Sequence, residues 1–253
     1  MTVPGKDTAG HSGLCWYGMQ KLPGLLDAFT REMNGVKEAQ DIEYIHRMRV
    51  ASRRLRAALP LFRPCFPDKQ YKKWMQEITK ITRALGDARD ADVQIAFLQK
   101  SLKKIPKGHV LSGKPSPADQ PSTEPAIRFL LFALQKKRRT LQKHVLFALN
   151  ELEKSHVTEE MLLMFTTIDR DFKAERKKPR TLGIPPVAAL RIWKRLFSFL
   201  SYEPWVLHPE AVAEHHATRI AAKKLRYTME IYGSVYRNNL EKPIARIKKM
   251  QEI

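Results

Sequence analysis

The sequence predicts an all-α chain made of two similar helical halves, and three observations carry that expectation. From Trp16 onward apolar residues recur at threes and fours, the period of a helix with one buried face. No run alternates for the length of a strand. The stretch HRMRVASRRLRA at 46–57 recurs as HATRIAAKKLRY at 216–227, and an internal repeat of that length places related elements in both halves.

Residues 1–13 (MTVPGKDTAGHSG) are small, polar and aperiodic, so they are expected to form a mobile tail outside the fold. Helices follow near 16–33, 41–63, 68–84 and 88–104, the last opening after Gly86, and complete a first repeat at about 14–105. Residues 106–125 hold five prolines with Ser, Gly and Asp, the composition of a surface loop or disordered insert. A helical pair at 126–151 and 158–172 comes next. Residues 173–186 (KAERKKPRTLGIPP) form a basic connector, closed by Pro185-Pro186 in the first turn of the following helix. Helices near 186–201, 209–236 and 240–253 make up the second repeat, at about 186–253.

A chain of 253 residues can bury a sizeable core without staples. Cys15 and Cys65 show no metal-ligand spacing and stand in unrelated contexts, so free thiols in a reducing cytoplasm are expected. No positively charged start leads into an apolar run and no stretch of about 18 uncharged apolar residues occurs, so neither a signal peptide nor a membrane span is expected. The 46 Lys and Arg against 26 Asp and Glu leave a formal charge of +20, which makes a polyanion the first partner to consider.

The repeated stretch concentrates that charge. At about 100° per residue, Ile45, Met48, Ala51, Leu55, Ala58, Leu59 and Phe62 fall on one arc, while His46, Arg49, Arg53 and Arg56 fall opposite. In the second copy Ala221, Leu225, Met229 and Tyr232 form the apolar arc, and His216, Arg219, Lys223 and Arg226 the cationic stripe, with Tyr227 beside it. A solvated face normally mixes signs, yet no Asp or Glu lies between His46 and Pro64. Cations about one helical turn apart suit successive phosphates, which guanidinium groups grip bidentately.

The doubled pattern H-x-x-R-[VI]-x-x-[RK]-[RK]-L-R, with LGDARDADV at 85–93 after the first copy, resembles the CHAD family, the conserved histidine α-helical domains. The resemblance runs from about Leu14 to the last residue. It implies two helical bundles, related by a pseudo-twofold axis around a basic central cavity, that bind inorganic polyphosphate and do not catalyse. Carried onto this chain, the binding residues are His46, Arg49, Arg53, Arg56, His216, Arg219, Lys223 and Arg226. The resemblance also implies polyphosphate granules as a setting. It implies a further helix after the second copy, where this chain stops, so the second half reads as shortened.

Several other residues are weighed against plainer roles. Asp87, Asp90 and Asp92 are read as opening a helix and pairing with arginines, not as metal ligands, and Glu230 as orienting Arg226 at i,i+4. Arg89, Lys136, Arg139, Lys143, Arg191 and Arg195 are candidates to extend the cavity wall, with solvated faces as the alternative. Lys137 and Arg138 are read with those solvated faces. The second functional reading is binding to a nucleic-acid backbone, although no helix-turn-helix, zinc finger or aromatic platform occurs. A tripolyphosphate hydrolase would need the E-x-E-x-K strand of a CYTH domain, which is missing, so neither catalytic residues, metal nor cofactor is expected.

Overall fold

The computed structural model describes residues 9–39, 41–105, 123–174, 183–237 and 239–251, and every regular element among them is helical. In chain order these are α1 (Ala9–Thr30), α2 (Met33–Glu38), α3 (Ile42–Ala58), a 3-10 turn (Leu59–Cys65), α4 (Asp68–Lys104), α5 (Glu124–Lys154), α6 (Val157–Ala174), α7 (Ile184–Leu200), α8 (Val212–Tyr232) and α9 (Glu241–Met250). Two shorter 3-10 turns, Glu203–Trp205 and Gly233–Tyr236, flank α8. No helix among the described residues is long and apolar enough to cross a membrane.

Local chemistry sets the helix that carries the first motif. The Asp41 carboxylate accepts the backbone N–H of Glu43 at 2.9 Å, capping α3 where four donors lack intrahelical partners. Pro60 and Pro64 cannot donate, so beyond Ala58 the chain tightens into the 3-10 turn, and the single helix expected over 41–63 ends early. The whole predicted apolar arc of α3 is buried, as is that of α8.

Three expectations are corrected here. Residues 9–13 belong to α1 and not to a tail, because the turn held by buried Leu14 and Tyr17 propagates backward at one hydrogen bond per residue. Residues 1–8, the insert at 106–122 and the connector at 175–182 lie outside the described residues. The chain runs through Gly86 without a break, so α4 is one helix of 37 residues, roughly 55 Å long. Burial of Ile78, Ile81, Leu85, Ala88 and Ala91 along one side outweighs the cost of about 1 kcal/mol for an interior glycine. Asp87, Asp90 and Asp92 therefore stand inside a helix instead of opening one.

The third correction concerns the cysteines, which are bonded to each other and not free. Cys15 near the start of α1 meets Cys65 at the end of the 3-10 turn across a sequence separation of 50. In the chain-entropy account such a loop contributes about 4 kcal/mol. Spacing in sequence gave no sign of the pairing, because it is the packing of α1 on the 3-10 turn that brings the two together. Gly18 is part of that packing: a Cβ there would stand 2.8 Å from the Phe62 ring.

One large core joins α1 to α6 and takes in Ile184 and Ala188 of α7 and Ile231 and Tyr232 of α8. Tyr17 ties α1 to the end of α8 and the turn after it. Its hydroxyl donates to the Ile231 carbonyl at 2.6 Å, lies 2.9 Å from the Ser234 hydroxyl, and its ring stacks on Tyr232. A second, smaller core holds Ala222, Leu225, Met229 and Ile247. Leu26 and Phe29 of α1 are buried, whereas Leu196 and Phe199 of α7, which lie 170 residues further on, the offset of the repeated stretch, are only partly covered. Leu190, Trp193 and Phe197 on α7 are exposed.

Candidate functional site

Because α3 and α8 each bury their apolar arc, their polar sides are left outward, and the two helices pack against each other. The stripes consequently meet. Lys223 of α8 lies within the field of Arg53 and Arg49 from α3 and of Arg219 and Arg226 from its own helix. Burial, and after it those four guanidinium groups, hold the Lys223 ammonium below the usual lysine range. Arg56 is also pushed below the usual arginine range, first by burial and then by Arg83 and Arg53.

The eight carried-over residues do not share one environment. Arg49 donates to Asp90 Oδ1 on α4 at 3.1 Å, and its guanidinium lies 3.8–3.9 Å from where a Cβ on Gly86 would stand. Arg226 donates to Glu230 Oε1 at 2.5 Å, as the i,i+4 spacing predicted, donates to Gln251 at 3.3 Å and lies over the Tyr227 ring at 4.5 Å. Arg53, Arg56, Arg219 and Lys223 form no ion pair among the described residues. His46 is half-buried, its Nδ1 without a hydrogen-bond partner; His216 is exposed. Arg56 Nε is likewise buried and unpartnered.

Two motif arginines outside the stripe serve the framework. Arg47 donates to Glu32 at 2.8 Å and stacks on Tyr44 at 4.5 Å. Arg54 Nε stands 3.9 Å from Glu230, so one carboxylate braces cations of both motif helices. That brace borders a cavity of about 320 Å³ between α1, α3 and α8, lined by Lys21, Gly24, Leu25, Arg54, Tyr227, Glu230 and Ile231. Of the sequence candidates only Tyr227 reaches it.

The remaining candidates divide. Arg89 stands 3.5 Å from Glu43, and Arg191 donates to the Tyr232 hydroxyl at 3.1 Å, which ties both to structure. Arg195 is half-buried, and Lys136, Arg139 and Lys143 are exposed; among the described residues no hydrogen bond or ion pair brings them to the seam. Their neighbour Arg138, read as part of a solvated face, instead turns inward and donates to Asp92 Oδ1 at 2.7 Å, with the two side chains 15% and 4% exposed. Asp90 and Asp92 thus pair with arginines, and no cluster of three metal-ligating side chains occurs among the described residues. Sequence reasoning missed Arg83. Its only signal was a spacing of three and seven from Gly86 and Asp90, which puts it on the α4 side that faces α3.

The fold and this seam define an all-α protein organised around two cationic helices whose charges converge. The chain belongs to the CHAD domain family, whose description matches residues 21–253. Its fold is similar to the crystal structure of the CHAD domain from the plant Ricinus communis, with a TM-score of 0.67 at 21% identity over 94% of this chain and 72% of that one. No curated protein matches the chain.

Proposed function

We propose that the α3–α8 seam binds inorganic polyphosphate, through Arg53, Arg56, Arg219 and Lys223 above all, and does not turn it over. The observation that carries this reading is Lys223. A lysine partly withdrawn from water, with four guanidinium groups as its charged neighbours, costs free energy in the free protein, and a polyanion laid along the seam offsets that cost. Arg49 and Arg226 are held in place by Asp90 and Glu230 and present their remaining donors to the same ligand.

Binding of this kind releases counterions, so affinity falls steeply with salt. A chain long enough to engage both stripes is held more tightly than tripolyphosphate. Titration calorimetry with long polyphosphate, tripolyphosphate and duplex DNA at two salt concentrations tests the reading. Long polyphosphate is expected to bind best at both; duplex DNA binding equally well would favour a generic backbone binder. Purified protein is expected to release no phosphate from polyphosphate, ATP or tripolyphosphate with or without Mg²⁺. Sustained release that Asp90→Asn abolishes would overturn the non-enzymatic reading. We place the activity where condensed phosphate is held; the Cys15–Cys65 bond removes the free thiols on which the expectation of a reducing cytoplasm rests.

A further inference from the structure

The α3–α4 pairing extends the cationic surface beyond the two repeated helices. The short turn Leu59–Cys65 folds α4 back on α3, so the two helices run antiparallel, and contacts set where they meet: Glu43 meets Arg89, and Arg49 meets Gly86 and Asp90. Advancing seven residues along α3, from Arg49 to Arg56, steps back about two turns along α4 from Asp90, to the neighbourhood of Arg83. The Arg56 guanidinium accordingly feels Arg83 and Arg53 as its charged neighbours, and its buried Nε has no partner. Elsewhere along this pairing each cation has a carboxylate: Arg49 has Asp90 and Arg89 has Glu43. At Arg53, Arg56 and Arg83 no ion pair is formed among the described residues.

The geometry points to a phosphate subsite between Arg56 of α3 and Arg83 of α4, which carries a bound polyphosphate chain off the α3–α8 seam and onto α4. This rests on the reading of the seam given above and adds a direction to it. A chain centred on Lys223 and Arg53 leaves the seam at its Arg56 end, where Arg53 and Arg56 of α3 and Arg83 of α4 are charged neighbours and form no ion pair among the described residues. The α4 side thereby becomes a measure of length. Only a ligand that has already occupied the seam and still has phosphates to spare reaches Arg83, so the subsite contributes to long chains and not to tripolyphosphate. Arg83 is exposed on α4, and its replacement removes no core contact.

The test compares wild type, Arg83→Ala, Arg83→Lys and the double variant Arg53→Gln/Lys223→Gln, each titrated with tripolyphosphate and with long-chain polyphosphate over a salt series. Arg83→Ala is expected to weaken long-chain binding about tenfold, as loss of one charge-assisted contact implies. It should lower the salt dependence by roughly one counterion and leave tripolyphosphate affinity unchanged. Arg83→Lys should recover part of the loss. Circular dichroism melts of all variants confirm that the fold is retained. Wild-type affinity of Arg83→Ala for the long chain overturns the subsite, and so does an equal loss for tripolyphosphate. If the double variant loses binding while Arg83→Ala does not, the seam stands and only its extension falls. If neither loses binding, the polyphosphate reading of the seam falls as well.

Discussion

Lys223 of α8 and Arg53 of α3, one from each copy of the repeated motif, stand close enough for their like charges to repel, and neither forms an ion pair among the described residues. Folding brings them together because each helix buries the opposite arc, so the apolar core places the cations where they oppose one another. Stability and binding then pull in opposite directions at this position. Lys223→Met removes the partly desolvated charge while keeping the stem. It is expected to raise the thermal unfolding midpoint and to weaken polyphosphate binding about tenfold. Paired melting and titration measurements on the one variant check both signs; a variant that lowers both would show Lys223 to be a framework residue.

The same lysine sets a pH dependence. Its folded-state pKa is lowered, so between that value and the ordinary lysine range the unfolded chain binds more protons than the folded one, and stability rises with pH through that window. Bound polyphosphate favours the charged ammonium, so ligand binding in the same window is expected to take up protons. Calorimetry in buffers of different ionisation enthalpy measures the uptake. Lys223→Arg should abolish it while keeping most of the affinity.

Arg49 has a carboxylate that a phosphate must displace or share. Asp90 is exposed, so Asp90→Asn costs little stability and leaves Arg49 free. Polyphosphate affinity is expected to rise several-fold, with a steeper salt dependence. An unchanged affinity would mean that Arg49 does not touch the ligand.

The inward pair on α5 and α4 answers differently. Arg138→Ala leaves the buried Asp92 carboxylate without its cation, which costs about 3–5 kcal/mol in comparable buried pairs. Denaturant unfolding should show that loss, while the affinity of the molecules still folded stays near wild type. Replacing Lys136, Arg139 and Lys143 together should move neither quantity much.

Periodicity alone made the helical class legible, and the two arcs of the motif helices were readable residue by residue from Ile45 to Phe62. What escaped was set by partners distant in sequence. Gly86 looked like a break because an isolated helix would be weakened there, yet packing along Leu85 and Ala88 holds α4 straight through it. Arg138 looked solvated because its neighbours are; its inward turn depends on Asp92, 46 residues away. The Cys15–Cys65 bond and the Arg56–Arg83 neighbourhood depend in the same way on how helices pair, and no local pattern encodes that.

Local stability should also differ between α9 and α4. The small core around Leu225 and Ile247 gives α9 few buried contacts, whereas α4 buries Trp74, Ile78 and Ile81. Hydrogen exchange is expected to be faster throughout α9 than in the first half of α4, with slowing at the Gln251 end when polyphosphate fixes Arg226.

The most direct test of the seam itself compares two charge-matched variants for long-chain polyphosphate affinity at fixed salt. One is Arg53→Gln/Lys223→Gln; the other is Lys69→Gln/Lys72→Gln, two exposed lysines at the start of α4. Both lower the net charge by the same amount. Loss of two charge-assisted contacts at the seam should weaken binding by about a hundredfold, and the α4 pair should weaken it by no more than a fewfold. Equal weakening by the two pairs would mean that the protein attracts polyanions through a diffuse positive field, and would contradict a built site between α3 and α8.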